Sequence, residues 1–132
     1  MAVVDASVLV ELLSDGDYAD VVGERFDAEE HTLWAPHLID AEVGHALRRS
    51  VRLGKLTAAA AGRALWEVDE FPVERVEHEL LVHVAWGLRD NFTFYDGLYV
   101  ALALMLDEPL LTCDARLARS GVDLPIEVLG QA

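Results

Sequence analysis

Five short runs rich in valine, leucine or isoleucine punctuate this chain: Ala2–Asp5, Thr32–Ala35, Pro72–Val76, Leu110–Thr112 and Ile126–Leu129. Between them lie helical patterns over Ser7–Leu13, Tyr18–Asp27, Pro36–Leu53, Ala58–Val68, His78–Arg89, Phe94–Leu106 and Ala115–Arg119. Strands that alternate with helices return in the same direction, because each helix serves as the crossover. The alternation therefore predicts an α/β sandwich with a largely parallel sheet. The punctuation agrees: Pro36 suits a first helical turn, Gly54 a C-terminal cap, Thr57 an N-cap, and Pro109 a break before a strand.

With 132 residues and no Gly/Ser-rich linker, low-complexity tract or repeat, residues 1–132 read as one domain with a real core. The lone Cys113 cannot form an internal disulfide, which suits a reducing compartment. The start lacks a basic n-region, and Asp5 interrupts what could be a signal sequence. The longest apolar stretch, Leu98 to Leu106, falls far short of the ~20 residues of a membrane span. The expectation is a soluble, cytoplasmic protein with no membrane partner. Acidic residues number 24 against 10 basic ones, a net charge of −14. That balance argues against a general nucleic-acid coat protein. It leaves room for phosphates bridged by divalent cations, or for a basic protein partner.

Certain carboxylates break the apolar pattern. Asp5 sits between Ala2-Val3-Val4 and Val8-Leu9-Val10, where a charge is costly unless compensated. In "PHLIDAEVGHALRRSVRLG", Leu38, Ile39, Val43, Ala46 and Leu47 mark an apolar stripe. Glu42 falls inside it, four after Leu38 and four before Ala46, and so points inward or to the rim of the core. A structural carboxylate paired with an arginine is the plainer alternative. Asp40 falls on the other face, solvated, with Arg48 as the candidate support. Asp96 opens a helix that is apolar nearly all round. Taken alone it reads first as the acidic member of a capping box with Thr93. Asp114 ends an apolar strand as Asp5 does, and either could be an N-cap worth ~1 kcal/mol.

Jointly, Asp5, Glu42, Asp96 and Asp114 favour one edge of such a sheet, where parallel folds bind ligands. Two carboxylates ~4 Å apart repel by roughly 4 kcal/mol at an effective dielectric near 20. No lysine or arginine adjoins Asp5, Glu42 or Asp96 in sequence. Mg²⁺ or Mn²⁺, hard ions that take oxygen ligands, are the natural neutraliser, and such a site suits phosphoryl chemistry.

"VVDASVLVELL", "PHLIDAEVGHALRR", "TFYDGLYVALAL" and "LLTCDARLAR" resemble the successive motifs of a PIN domain of the VapC type, the toxin of bacterial toxin–antitoxin pairs. The likeness runs in order along almost the whole chain. It implies a PIN-like three-layer sandwich, with a central, mostly parallel five-stranded sheet flanked by helices. It also implies a Mg²⁺- or Mn²⁺-dependent endoribonuclease whose acidic quartet corresponds to Asp5, Glu42, Asp96 and Asp114. A homodimer silenced by a cognate VapB-type antitoxin follows from the same resemblance. Ser7 and Thr112 hold hydroxyl positions beside the first and last aspartates, available to a metal water or a carboxylate, with ordinary capping as the alternative. Gly97 stands where relatives often carry alanine.

Positive groups for RNA phosphates are offered by Arg48, Arg49, Arg52 and Lys55, and by Arg116 and Arg119. A solvated helix end is the alternative for the first four. His78 and His83 are five apart, unlike the zinc pair of a metalloprotease, and His31, His37 and His45 read as structural or surface residues. Trp34, Trp66 and Trp86 are expected to pack the core or an interface. An aspartyl-phosphate phosphatase fits poorly, because Ser7 occupies its second acid position. A catalytically silent PIN-like module, holding a basic protein segment in its acidic groove, is the alternative to the enzyme.

Overall fold

The computed structural model describes residues 1–28 and 32–130, so His31 lies outside the described residues. In chain order the elements are β1 (Ala2–Val4), α1 (Ala6–Leu13), α2 (Ala19–Ala28), β2 (Leu33–Pro36), α3 (Leu38–Arg52) and α4 (Ala58–Glu70). There follow β3 (Val73–Val76), a 3₁₀ turn (His78–Leu80), α5 (Val82–Gly87), α6 (Phe94–Leu106), β4 (Leu110–Thr112), α7 (Ala115–Ala118) and β5 (Ile126–Val128). The strands pair in the order β3-β2-β1-β4-β5, every pairing parallel. From the central β1 the chain moves to β2 and β3 on one side, then to β4 and β5 on the other. That reversal opens a crevice at the carboxyl end of β1, and Asp5 is the next residue.

Helix α6 bears out the reading of an all-round apolar segment: Gly97 through Ala103 are buried in unbroken succession. It packs on β1, β2 and β4 and against α5, while α1 packs with α2, α3 and α4. At Gly97 the α5 backbone comes close, since a Cβ there would stand 3.3 Å from the Ala85 carbonyl oxygen. Thr57 and Thr93 cap α4 and α6 as expected, accepting from the Ala60 and Asp96 N–H groups at 3.1 Å each. Gly54, just past α3, adopts φ +74°, a left-handed turn that glycine makes without strain.

Four expectations change. Pro36 ends β2 rather than starting a helix; it lies opposite Val76, and the next ladder bond comes from the His37 N–H to the Val76 carbonyl. Helix α3 then begins at Leu38, whose N–H donates to Nε2 of His78 at 2.8 Å. His78 thus substitutes for a local N-cap, which His37 does not supply. The span read as one helix over His78–Arg89 divides into the 3₁₀ turn and α5, with the fully buried Leu81 between them. Of the three tryptophans expected in the core or an interface, Trp34 packs against the core, while Trp66 and Trp86, 76% and 60% exposed, lie outside it; the inward face of α4 is Ala61, Ala64 and Val68, and Arg89 stacks over the Trp86 ring.

The fourth change concerns Asp40, whose partner is Arg75 on β3 and not Arg48. The Arg75 guanidinium donates from Nε and Nη2 to the Asp40 carboxylate at 2.8–3.1 Å. It also donates to the carbonyls of Val73 at 2.9 Å and Val68 at 3.0 Å, joining α3, α4 and β3. Arg75→Ala removes this bidentate pair together with two backbone bonds. The expected loss is about 2 kcal/mol by urea denaturation, against a much smaller change for Arg48→Ala. Equal effects of the two substitutions would remove Arg75 from that role.

Among the described residues no helix is long and apolar enough to cross a membrane.

Candidate active site

Asp5, Glu42, Asp96 and Asp114 line one cleft of about 730 Å³. They arrive from four elements: the residue after β1, the second turn of α3, the first turn of α6 and the N-cap of α7. Asp5 and Asp114 do cap their helices, accepting from the Val8 N–H at 3.3 Å and the Arg116 N–H at 3.0 Å. Capping and cleft lining therefore coincide, because a helix that follows a strand begins at the strand's carboxyl end.

Asp5 is the most tightly held. Ser7 donates its hydroxyl to Asp5 Oδ1 at 2.5 Å, and Thr112 donates to Oδ2 at 2.5 Å. Each hydroxyl in turn accepts a backbone N–H at 2.9 Å, Ser7 from Cys113 and Thr112 from Asp114. With their acceptor sides engaged, both hydroxyls direct their protons at Asp5. The ends of β1 and β4 are thereby fastened through one carboxylate. Ser7 and Thr112 serve that carboxylate rather than acting as ordinary caps.

Burial dominates the electrostatics. It raises the Asp5 carboxyl to about 6, against the opposing pull of the Ser7, Thr112 and Val8 hydrogen bonds. Burial also raises Glu42 and Asp96, and the Asp96 charge pushes further on both Asp5 and Glu42. Asp114 goes the other way, held low by Arg116, whose guanidinium reaches its carboxylate at 2.6–3.2 Å.

Of the basic residues singled out from the sequence, Arg49 and Arg116 line the acid cleft. Lys55 lies along an adjoining groove of about 720 Å³ between α1 and α3, which meets the cleft at Ser7, Ala46 and Arg49. Arg48 and Arg52 border a shallow apolar groove between α3 and α4. Arg119 is exposed and acts on Asp114 only through its charge. His45 also borders the cleft.

The sequence reading passed over Tyr99, which lines the cleft from α6. Its signal was present: a phenol three residues after Asp96, on a helix otherwise apolar, must bring a polar end to something.

The donor set suits a hard divalent cation, since four carboxylates offer only oxygen and three of them are raised by burial. The Arg116 guanidinium, two residues on, pairs with Asp114 at the rim of this cleft. Among the described residues no three such side chains stand close enough, as placed, to grip one ion. Asp5, Asp96, Asp114 and Glu42 are the residues of this cleft that could hold such an ion.

The PIN domain family matches residues 2–122 of the chain. Ribonuclease VapC1 of Mycobacterium tuberculosis is 46% identical over 127 residues, 96% of this chain and 94% of that protein. Among solved structures, PAE2754 of Pyrobaculum aerophilum has a TM-score of 0.67 at 30% identity, over 96% of this chain and 83% of that one. VapBC2 of Rickettsia felis, bound to a DNA fragment from their promoter, has a TM-score of 0.69 at 13% identity, over 96% of each. That last likeness is one of fold alone.

Proposed function

This chain belongs to the PIN-domain family, among the VapC ribonucleases, and from that premise we propose that it hydrolyses RNA phosphodiesters at the cleft of Asp5, Glu42, Asp96 and Asp114, with Mg²⁺ or Mn²⁺ as the cofactor. The observation that carries this reading is the convergence of four carboxylates, from residues 5 to 114, on the switch point of a parallel sheet. A bound divalent cation supplies Lewis acidity toward a phosphate oxygen and eases the ionisation of water.

The chain's own groups do the rest. Asp5 is the fixed point, its carboxylate oriented by Ser7 and Thr112 before any ligand arrives. Asp96 and Asp114 complete the cradle from helix starts, whose backbone is already set by capping. Glu42, from the second turn of α3, adds its carboxylate to the oxygen set offered to the cation. Arg49 and Arg116 meet the charge of the RNA backbone, Arg116 releasing Asp114 as it does so. Lys55, along the groove that joins the cleft, and Arg119, beside Asp114, serve flanking phosphates, while Arg48 and Arg52 face the separate groove between α3 and α4.

The partners we assign are a cognate VapB-type antitoxin and a second copy of this chain, and the setting is the cytoplasm. The fold shared with VapBC2, the charge of −14 and the buried free Cys113 support that assignment.

The test uses antitoxin-free protein with mixed single-stranded and structured RNAs. Cleavage is expected in Mg²⁺ or Mn²⁺, with none in EDTA. Equal cleavage in EDTA would overturn the metal reading. A folded protein that binds Mn²⁺ and a basic peptide yet cleaves nothing would favour the silent module.

A further inference from the structure

Tyr99 lies three residues after Asp96 on α6, so the two side chains share a helix face. Its ring belongs to the core, at 2% exposure, while its hydroxyl reaches the wall of the acid cleft beside Glu42. Among the described residues this hydroxyl is a buried polar atom with no hydrogen-bond partner of ordinary geometry. Such an orphan leaves the desolvation of its O–H uncompensated, and phenylalanine would avoid that by losing a single atom. A phenol kept in so apolar a setting needs an acceptor in some state of the protein. The acceptor alongside is the Glu42 carboxylate.

We propose that Tyr99 is a positioning residue for Glu42: its O–H closes onto the Glu42 carboxylate when a divalent cation fills the cleft. One carboxylate oxygen is then held by the phenol, and the other is turned to the cation. The inference rests on the metal-dependent reading above and extends it to a residue outside the acidic quartet. The phenol and the Glu42 carboxylate already act on each other's ionisation while short of a hydrogen bond of ordinary geometry, so a small shift of Glu42 suffices to complete one.

The experiment compares wild type, Tyr99→Phe, Glu42→Gln and the double variant, each as full-length protein free of antitoxin. Melting temperature is read in EDTA and in MnCl₂, and Mn²⁺ affinity by titration calorimetry. In EDTA, Tyr99→Phe is expected to melt at or above wild type, because it loses only an unsatisfied group. In MnCl₂ its stabilisation shrinks, and its Mn²⁺ affinity falls about tenfold, the worth of one hydrogen bond to a charged group. In the Glu42→Gln background the same substitution changes Mn²⁺ affinity little.

A lower melting temperature in EDTA with unchanged Mn²⁺ affinity would make Tyr99 merely structural and overturn the proposal. An undiminished effect in the Glu42→Gln background would show that Tyr99 does not act through Glu42. Wild type that binds no Mn²⁺ would sink the metal reading itself, an outcome distinct from either.

Discussion

Asp96→Asn is expected to lower metal-dependent RNA cleavage about a thousandfold, a barrier increase of about 4 kcal/mol, with the fold intact. The Asp96 carboxylate faces the cleft from the first turn of α6, where burial and the charge of Asp114 hold its pKa up. Asparagine keeps the shape and removes the charge that would meet the cation. The helix start does not depend on that charge, because Thr93 caps α6 through the backbone N–H of residue 96. Melting in EDTA should therefore match wild type or exceed it, since a partly buried carboxylate has been neutralised. Initial rates on one RNA with MnCl₂, alongside melting curves of both proteins, give the comparison. Cleavage within tenfold of wild type would take Asp96 out of the reaction.

The strand–helix alternation could be read from composition and period because each element announces itself locally. Asp5, Glu42 and Asp114 were visible for the opposite reason: each is a charge where its neighbours call for burial. Contacts that join distant segments were not visible. Arg75 is 35 residues from Asp40, and nothing near either residue names the other. Pro36 carries a helix-start signal, yet pairing with Val76 kept it in the sheet. The split at Leu81 likewise follows from a side chain committed to the core at 0% exposure, which no helical period expresses. Arg116 was read for its charge alone, although its position two after a capping aspartate also makes it the partner of Asp114. Tyr99 was missed because phenol and phenylalanine look alike in an apolar pattern, and only the cleft shows where the hydroxyl ends.

Asp5→Asn should abolish cleavage and yet stabilise the metal-free protein at neutral pH. Asp5 is 8% exposed, and its carboxyl is raised from 3.8 to about 6. A folded acid with a raised pKa binds its proton more tightly than the unfolded chain does. Below 3.8 both states are protonated and nothing is lost. Between 3.8 and about 6 the unfolded chain releases its proton first, so stability falls as pH rises, by about 3 kcal/mol in all. Above that window the loss is complete and constant. Glu42 and Asp96, also raised, slope the same way. Asparagine at position 5 removes the ionisation but offers one oxygen to three donors; kept on the side of Ser7 and the Val8 N–H, it leaves Thr112 without its acceptor at a cost of about 1 kcal/mol. The variant should therefore be about 2 kcal/mol more stable than wild type near pH 7.5 in EDTA, with the two curves crossing between about pH 4 and 5. Added Mn²⁺ should reverse the neutral-pH order, because it stabilises only the protein that binds it. Urea denaturation of both proteins from pH 4 to 8, with EDTA and then with MnCl₂, reads every term. Parallel stability curves across that range would show that the Asp5 carboxylate is neither raised by burial nor left in need of a cation.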